Sequence, residues 1–242
     1  MCGLDGGSAC YNGNILPLAP FALRGFLWYQ GESDVFDLGY ECAFPRLIQR
    51  WRSIFRVPDA FFAFVRLAPW CDGAALPHMR DAQMSALMLS AVGYAPADDL
   101  GDPDDVCNVH PPDKRSVGER LARVALALGG MSEQEVHWRS PEAEAVEVLD
   151  DAVCVHARHV ASHLYVREHT PTCEGGACVF SRELDDWRPA ELFVRDRATV
   201  CFRASASEGV SLLQYGRRDV PHLVVYDNAT ELPLLPFERA LY

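Results

Sequence analysis

The stretch Gly25-Phe26-Leu27-Trp28-Tyr29-Gln30-Gly31-Glu32-Ser33-Asp34 decides the reading of this chain. Phe26 to Tyr29 is a short apolar run bounded by turn residues, the pattern of a buried strand. The amide, glycine and carboxylate that follow fall at the strand's C-terminal end, where open α/β sheets carry their chemistry. A second segment, Asn108-Val109-His110-Pro111-Pro112-Asp113-Lys114, opens a long amphipathic helix. Together they point to a hydrolase site whose nucleophile is harder to locate.

The flanking sequence alternates in period. Residues 12–22 read as a short helical segment broken near Pro17 and Pro20, because proline lacks an N–H and crowds the preceding turn. The strand itself is predicted over 23–29. Residues 38–55 have helical spacing, with Phe44, Leu47, Ile48, Trp51 and Phe55 on one face. A second buried strand is predicted over 61–67, and a helix over 78–89 that turns Met79, Ala82, Ala86 and Leu87 inward. A third strand over 91–95 ends before the acidic turn 98–105. The last helix, 114–128, is stopped by Gly129-Gly130. Such alternation predicts an α/β unit with a parallel sheet flanked by helices. After about residue 135 the pattern becomes short, often alternating runs at 146–149, 152–156, 162–167, 190–194, 199–203 and 222–226, which predict a small antiparallel, sandwich-like β unit. The expected organisation is a disordered Gly-rich tail over 1–10, an α/β domain over 11–134 and a β-rich domain over 135–242.

At 242 residues and 49% hydrophobic content the chain can bury a substantial core. It contains no run of about 18 apolar residues, so no membrane span is expected. A formal net charge of -12 argues against nucleic acid and against anionic membranes as partners. A neutral substrate fits, or an anionic one met by a local arginine. Nine cysteines suggest disulfides and an oxidising compartment, with Cys173 and Cys178 closing a small loop. The odd count leaves at least one thiol without a partner in the chain. Asn228-Ala229-Thr230 is a glycosylation sequon, in keeping with a secretory route. The start, Met1-Cys2-Gly3-Leu4-Asp5, has neither a basic region nor an apolar signal core. That conflict leads us to expect further sequence upstream.

Residues 11–130 resemble the sialate O-acetylesterases, carbohydrate esterases of the SGNH-hydrolase group. The resemblance rests on Tyr11-Asn12-Gly13 with Ile15 and Pro17, and on Gly25 with Trp28-Tyr29-Gln30-Gly31-Glu32-Ser33. It continues through Phe44-Pro45, Leu47-Ile48, Trp51-Arg52, Arg80 with Ala82-Gln83, and His110-Pro111 with Lys114, Gly118 and Arg120-Leu121-Ala122. Order and spacing both match. The region of 233–237 also looks like the family's C-terminal part, less distinctly. The resemblance implies a partial SGNH-type, flavodoxin-like parallel sheet with flanking helices. It further implies hydrolysis of acetyl esters of O-acetylated sialic acid, or of another acetylated sugar, through a serine acyl-enzyme, with no metal or organic cofactor. Two departures stand out. Family members carry a Gly-Gln-Ser-Asn block with the nucleophile upstream of the Tyr-Asn-Gly segment, and this chain has none. Many SGNH enzymes also place an aspartate three residues before the histidine, where this chain has Cys107.

Ester hydrolysis needs a nucleophile, a base, a group that orients the base, and donors for the oxyanion. His110 is the candidate base, set at a rigid loop end by Pro111. Glu32 is the candidate for the orienting acid, since related carbohydrate esterases carry a Gln-Gly-Glu motif; a structural carboxylate pinning its loop is the other reading, and Asp105 competes for the role. Gln30 and Gly31 are candidates for the oxyanion or substrate contacts, Gly31 through close backbone approach. Neither Ser33, outside any nucleophile elbow, nor Ser8, in the tail, is a convincing nucleophile. His156, His159, His163 and His169 with Cys154, Cys173 and Cys178 supply metal-ligand types but no zinc spacing, so no metal site is assigned. Trp28, Phe44, Trp51 and Phe61 are expected in the core, and Trp70 and Trp187 are the sugar-stacking candidates. Arg66 and Arg80 are candidates to meet a sialate carboxylate. The expectation is thus a secreted or lysosomal esterase whose nucleophile is absent from these residues, so that the chain alone is inactive and prone to aggregate. The rival is a non-catalytic carbohydrate-binding or interaction protein built on the same scaffold.

Overall fold

The computed structural model describes residues 11–71, 75–132, 135–173, 176–204 and 209–241. The tail expected over 1–10, and Ser8 with it, lies outside the described residues.

Strands β1 (Gly25–Trp28), β2 (Phe61–Arg66) and β3 (Val92–Pro96) form a parallel sheet in that order, Phe26 opposite Phe62 and Phe62 opposite Val92. Parallel neighbours need crossovers, and helices supply them. Helix α1 (Tyr40–Phe55) joins β1 to β2, and α2 (Leu76–Met84) with the 3₁₀ turn Ser85–Met88 joins β2 to β3. Helix α3 (Lys114–Leu128) follows β3. The apolar stripe read from 38–55 does face the sheet: Phe44, Ile48 and Phe55 are buried, and Leu47 and Trp51 pack against them. Pro45 lies inside α1 and cannot donate to Glu41 O, which instead accepts the Ser85 hydroxyl at 2.9 Å and ties α1 to the next crossover. Phe26, Trp28, Phe44, Trp51, Phe62 and Phe64 interlock with ring centroids 5.3 to 6.3 Å apart, so Trp28, Phe44 and Trp51 are core residues as expected.

Among the described residues nothing pairs with the outer edge of β1, and Leu27 there is 60% exposed. An open edge carrying an exposed leucine is a template for another chain, which gives the expected aggregation a physical basis.

The second unit is antiparallel throughout. One sheet has the order β4-β5-β10-β9, with β4 Glu142–Val148, β5 Ala152–Arg158, β10 Thr199–Arg203 and β9 Leu192–Asp196. The other has the order β13-β11-β7-β8, with β13 Phe237–Ala240, β11 Val210–Tyr215, β7 Ala177–Ser181 and β8 Asp186–Pro189. The short pair β6 (Leu164–Val166) and β12 (Val225–Asp227) completes it. Val153, Val155, Val200 and Phe202 of the first sheet share one core with Val179, Leu213, Tyr215 and Phe237 of the second, which is a sandwich. The expected runs cover the first sheet and the short pair, and miss the whole second sheet. Its strands hide their period: β8 is Asp-Trp-Arg-Pro, and β13 buries Phe237 alone.

The two units meet closely. Trp138 and Leu235 pack into the α/β core, and Arg123 Nη1 donates to Thr230 O at 2.9 Å. Gly93 on β3 is glycine because Val124 and Trp138 close on it: a Cβ there would lie 2.7 Å from Val124 Cγ1.

Candidate functional site

The three parallel strands end side by side, and the loops that leave them build the site. After β1, Gly31 takes φ +145°, a conformation that favours glycine, and the Met79 Cε that a Cβ would meet at 2.9 Å packs closely over it. The turn delivers Glu32 to Asp34 as a 3₁₀ segment. Gln30 is drawn into this loop: its Nε2 donates to Asp34 Oδ2 at 2.5 Å and its Oε1 accepts the Tyr40 hydroxyl at 3.3 Å. Gln83, fully buried on α2, stitches the loop to β2. Its Nε2 donates to Val65 O at 3.0 Å and Gln30 O at 3.3 Å, while its Oε1 accepts the Leu67 N–H at 3.1 Å. Sequence reasoning gave Gln83 no role; an amide on the inward face of a helix is the signal that was there.

The loop after β3 carries His110. Asp99 holds it to α3 through a two-pronged contact with Arg120, at 2.6 and 2.9 Å. Three successive side-chain turns follow, in which Asp102 accepts from the Asp104 N–H at 3.0 Å, Asp105 from the Cys107 N–H at 3.0 Å and Asn108 from the His110 N–H at 2.9 Å. A disulfide between Cys71 and Cys107 ties this loop to the one leaving β2. Pro111 is buried beneath His110, and Asp113 caps α3 by accepting the Ser116 N–H at 3.0 Å. His110 is therefore an exposed ring on a braced backbone.

Glu32 and His110 come together electrostatically. Burial pushes the Glu32 carboxyl above its ordinary range, while the charges of Lys114 and His110 pull it back. Lys114 Nζ stands 4.9 Å over the Tyr29 ring, and burial raises that tyrosine to about 12. The carboxylate of Asp105 is turned instead to its own loop backbone. Among the described residues no hydrogen bond engages the exposed His110 ring, so none joins it to the exposed Ser33. Glu32 also predicts a pH effect. Its folded value is raised, so the stability its protonation contributes is fully present below the unfolded value and is lost as pH rises through the folded one. Melting temperatures across mildly acidic pH should fall more steeply with pH in the wild type than in Glu32→Gln; parallel curves would contradict this.

Other expected residues sit elsewhere. Arg66 and Arg80 do not face a substrate: both are buried against Asp98. Cys154 pairs with Cys201 opposite it across β5 and β10, and Cys173 pairs with Cys178 as expected, so these sulfurs are not thiolate ligands. Among the described residues no three His, Cys, Asp or Glu side chains are grouped to hold a metal. Trp70 packs against the α/β core, Trp187 packs at a tilt against Phe180 with centroids 5.4 Å apart, and Asn228 is exposed in the turn after β12. Beside the strand ends lie two hollows that share His78. One of about 580 Å³ is bordered by Val35, Asp37, Leu38 and Glu41, and one of about 850 Å³ by Cys71, Val106 and the loop 217–220. No helix among the described residues is long and apolar enough to cross a membrane.

Comparison with known proteins adds to this geometry. Residues 12–127 match the family described as "Carbohydrate esterase, sialic acid-specific acetylesterase". A sialate O-acetylesterase of Mus musculus is 28% identical over 261 aligned residues, covering 95% of this chain and 47% of the relative. The Homo sapiens sialate O-acetylesterase is 27% identical, with 95% and 48% covered. The crystal structure of a carbohydrate acetylesterase from Xanthomonas citri superposes with a TM-score of 0.79 at 27% identity, over 96% of this chain and 54% of that one. The chain thus spans about half the length of the curated relatives it matches.

Proposed function

We propose that the chain is a member of the sialate O-acetylesterase family of carbohydrate esterases, and that its site serves the hydrolysis of acetyl esters on O-acetylated sialic acids or related acetylated sugars. The observation that carries this reading is that Glu32, in the turn after β1, feels the charges of His110 and Lys114, which stand at the end of the loop after β3 and the start of α3, all beyond the C-terminal ends of the parallel strands. In the proposed reaction a serine hydroxyl attacks the acetyl carbonyl while His110 takes its proton, then returns it to the departing sugar oxygen. Glu32, rather than Asp105, favours the charged imidazole, because Asp105 is already engaged by Cys107 N–H. Gln30 gives one amide proton to Asp34 and retains another for an oxyanion, beside the close backbone approach that Gly31 allows. The serine is taken to come from residues other than those described around His110. The disulfides support a secreted or lysosomal setting, with the exposed Asn228 as the glycan acceptor.

One observation favours the second reading, a carbohydrate-binding protein without catalysis: the His110 ring meets no hydroxyl among the described residues. Two measurements on the purified chain separate the two. We expect the His110 ring resonances to shift when an O-acetylated sugar is added. Acetate release that falls at least about 100-fold in His110→Ala would place the nucleophile within the chain. A shift without acetate release, from a folded sample, would support a site that binds the ester and lacks its serine. Neither shift nor release would overturn the proposal.

A further inference from the structure

The β unit reaches the larger hollow through the loop 216–220, and that loop stands on a built support. Arg80, 1% exposed, donates from Nε to Leu67 O at 2.9 Å, from Nη1 to Arg218 O at 2.9 Å and from Nη2 to Asp219 O at 3.1 Å. Asp219 Oδ1 in turn accepts the Leu76 N–H at the start of α2, at 3.1 Å. Gly216 opens the loop at φ +63°, where a Cβ would lie 2.5 Å from Leu223 Cδ2. A buried guanidinium is tolerable only when its donors are satisfied, so the loop cannot swing away without leaving Nη1 and Nη2 of Arg80 without the carbonyls that hold them.

The charges bordering this hollow are largely engaged. Arg217 Nη1 lies 2.6 Å from Asp81 Oδ2, Asp219 holds the start of α2, and Glu238 Oε2 accepts the Gln214 amide at 2.9 Å. His78 faces them across the hollow. Arg218 differs: its backbone carbonyl is fixed, yet its exposed side chain meets no carboxylate or carbonyl among the described residues. Val106 and Cys71 also border the hollow, and Cys71 is bonded to Cys107 in the loop that carries His110.

We propose that Arg218 is the cation that receives the carboxylate of an anionic sugar, and that the hollow between the loop 216–220 and the Cys71–Cys107 bridge is the subsite for that sugar. The inference rests on the esterase reading of His110 and Glu32. A protein with a net charge of -12 repels an anionic ligand overall, so a carboxylate must be captured by a guanidinium placed where it docks. Arg66 and Arg80, buried on Asp98, cannot do this. A hollow of about 850 Å³ is within the range that holds small ligands.

The test titrates the chain with N-acetylneuraminic acid and with its uncharged methyl ester, in the wild type and in Arg218→Gln. The acid should bind about ten-fold tighter than the ester, an advantage that shrinks as salt rises. Arg218→Gln should weaken the acid to the level of the ester and leave the ester unchanged. It should melt as the wild type does, since the carbonyl that holds Arg80 remains. Equal binding of acid and ester by the wild type, binding of neither, or a preference that survives in Arg218→Gln would overturn the proposal. Failure of the esterase reading would show differently, as no acetate release and no His110 shift with a neutral O-acetylated sugar while the preference for the acid persists.

Discussion

Replacing Asp98 with alanine is expected to lower folding stability by about 3–5 kcal/mol, the loss typical of removing one partner from a buried ion pair. Asp98 is 0% exposed and serves two guanidiniums, Arg66 by a direct short contact and Arg80 at 3.5 Å. Burial draws Arg66 down to about 10 and Arg80 to about 9, so both still carry charge at neutral pH. Without Asp98 those charges lie in the core beneath the sheet's C-terminal end with no ion-pair partner in contact, and the more distant Asp81, Asp219 and Glu142 compensate only in part. The damage should spread, because Arg80 also clamps the loop 216–220. Urea unfolding of Asp98→Ala gives the stability, and the acid-over-ester preference at Arg218 reports the loop. A midpoint within experimental error of the wild type would mean that the two guanidiniums do not depend on this carboxylate.

Breaking the Cys71–Cys107 bridge should have an effect of similar size. The cysteines are 36 residues apart, and the chain-entropy relation assigns such a closure about 4 kcal/mol. Between them lie α2 with Gln83 and Arg80, the strand β3, and the acidic loop. Cys201→Ser is the control. It opens a bridge of comparable separation, 47 residues, between two strands that stay paired in the β sandwich far from His110. Both variants should lose comparable stability, while only Cys107→Ser should broaden the His110 resonances as its loop gains freedom. Equal line widths in the two variants would sink the claim that this bridge braces the histidine. The shortest bridge, Cys173–Cys178 with a separation of five, should matter less, about 2 kcal/mol on the same relation.

Most of the α/β half was legible because its signals are local. The helix predicted over 114–128 is Lys114–Leu128, since its amphipathic repeat is bracketed by a cap at Asp113 and a glycine stop at Gly129. The strands read from 23–29, 61–67 and 91–95 are mainly apolar runs between turns, broken only by Arg24 and Arg66 near their ends, and they differ from β1, β2 and β3 only at their ends. The helix read over 78–89 starts earlier, at Leu76, and tightens into a 3₁₀ turn from Ser85. In the β half the signal fades, because edge strands such as β8 and β13 bury one face at most and carry charge on the rest.

By itself, then, the sequence determined the order of helices and strands in the first half and the similarity to carbohydrate esterases. It also determined the residue types at the strand ends, Gln30-Gly31-Glu32 and His110-Pro111, for periodicity, caps and turns depend on neighbours a few residues away. Tertiary structure alone decided the partners. Arg66 and Arg80 look like substrate readers until Asp98, 32 residues beyond Arg66, folds beneath both. Arg218 looks like any surface arginine until Arg80, from the other unit, holds its backbone at the edge of the site. An ionic or hydrogen-bonded partner is set by which elements pack together in three dimensions, and the large desolvation penalty of a buried charge makes that choice binding once packing has occurred.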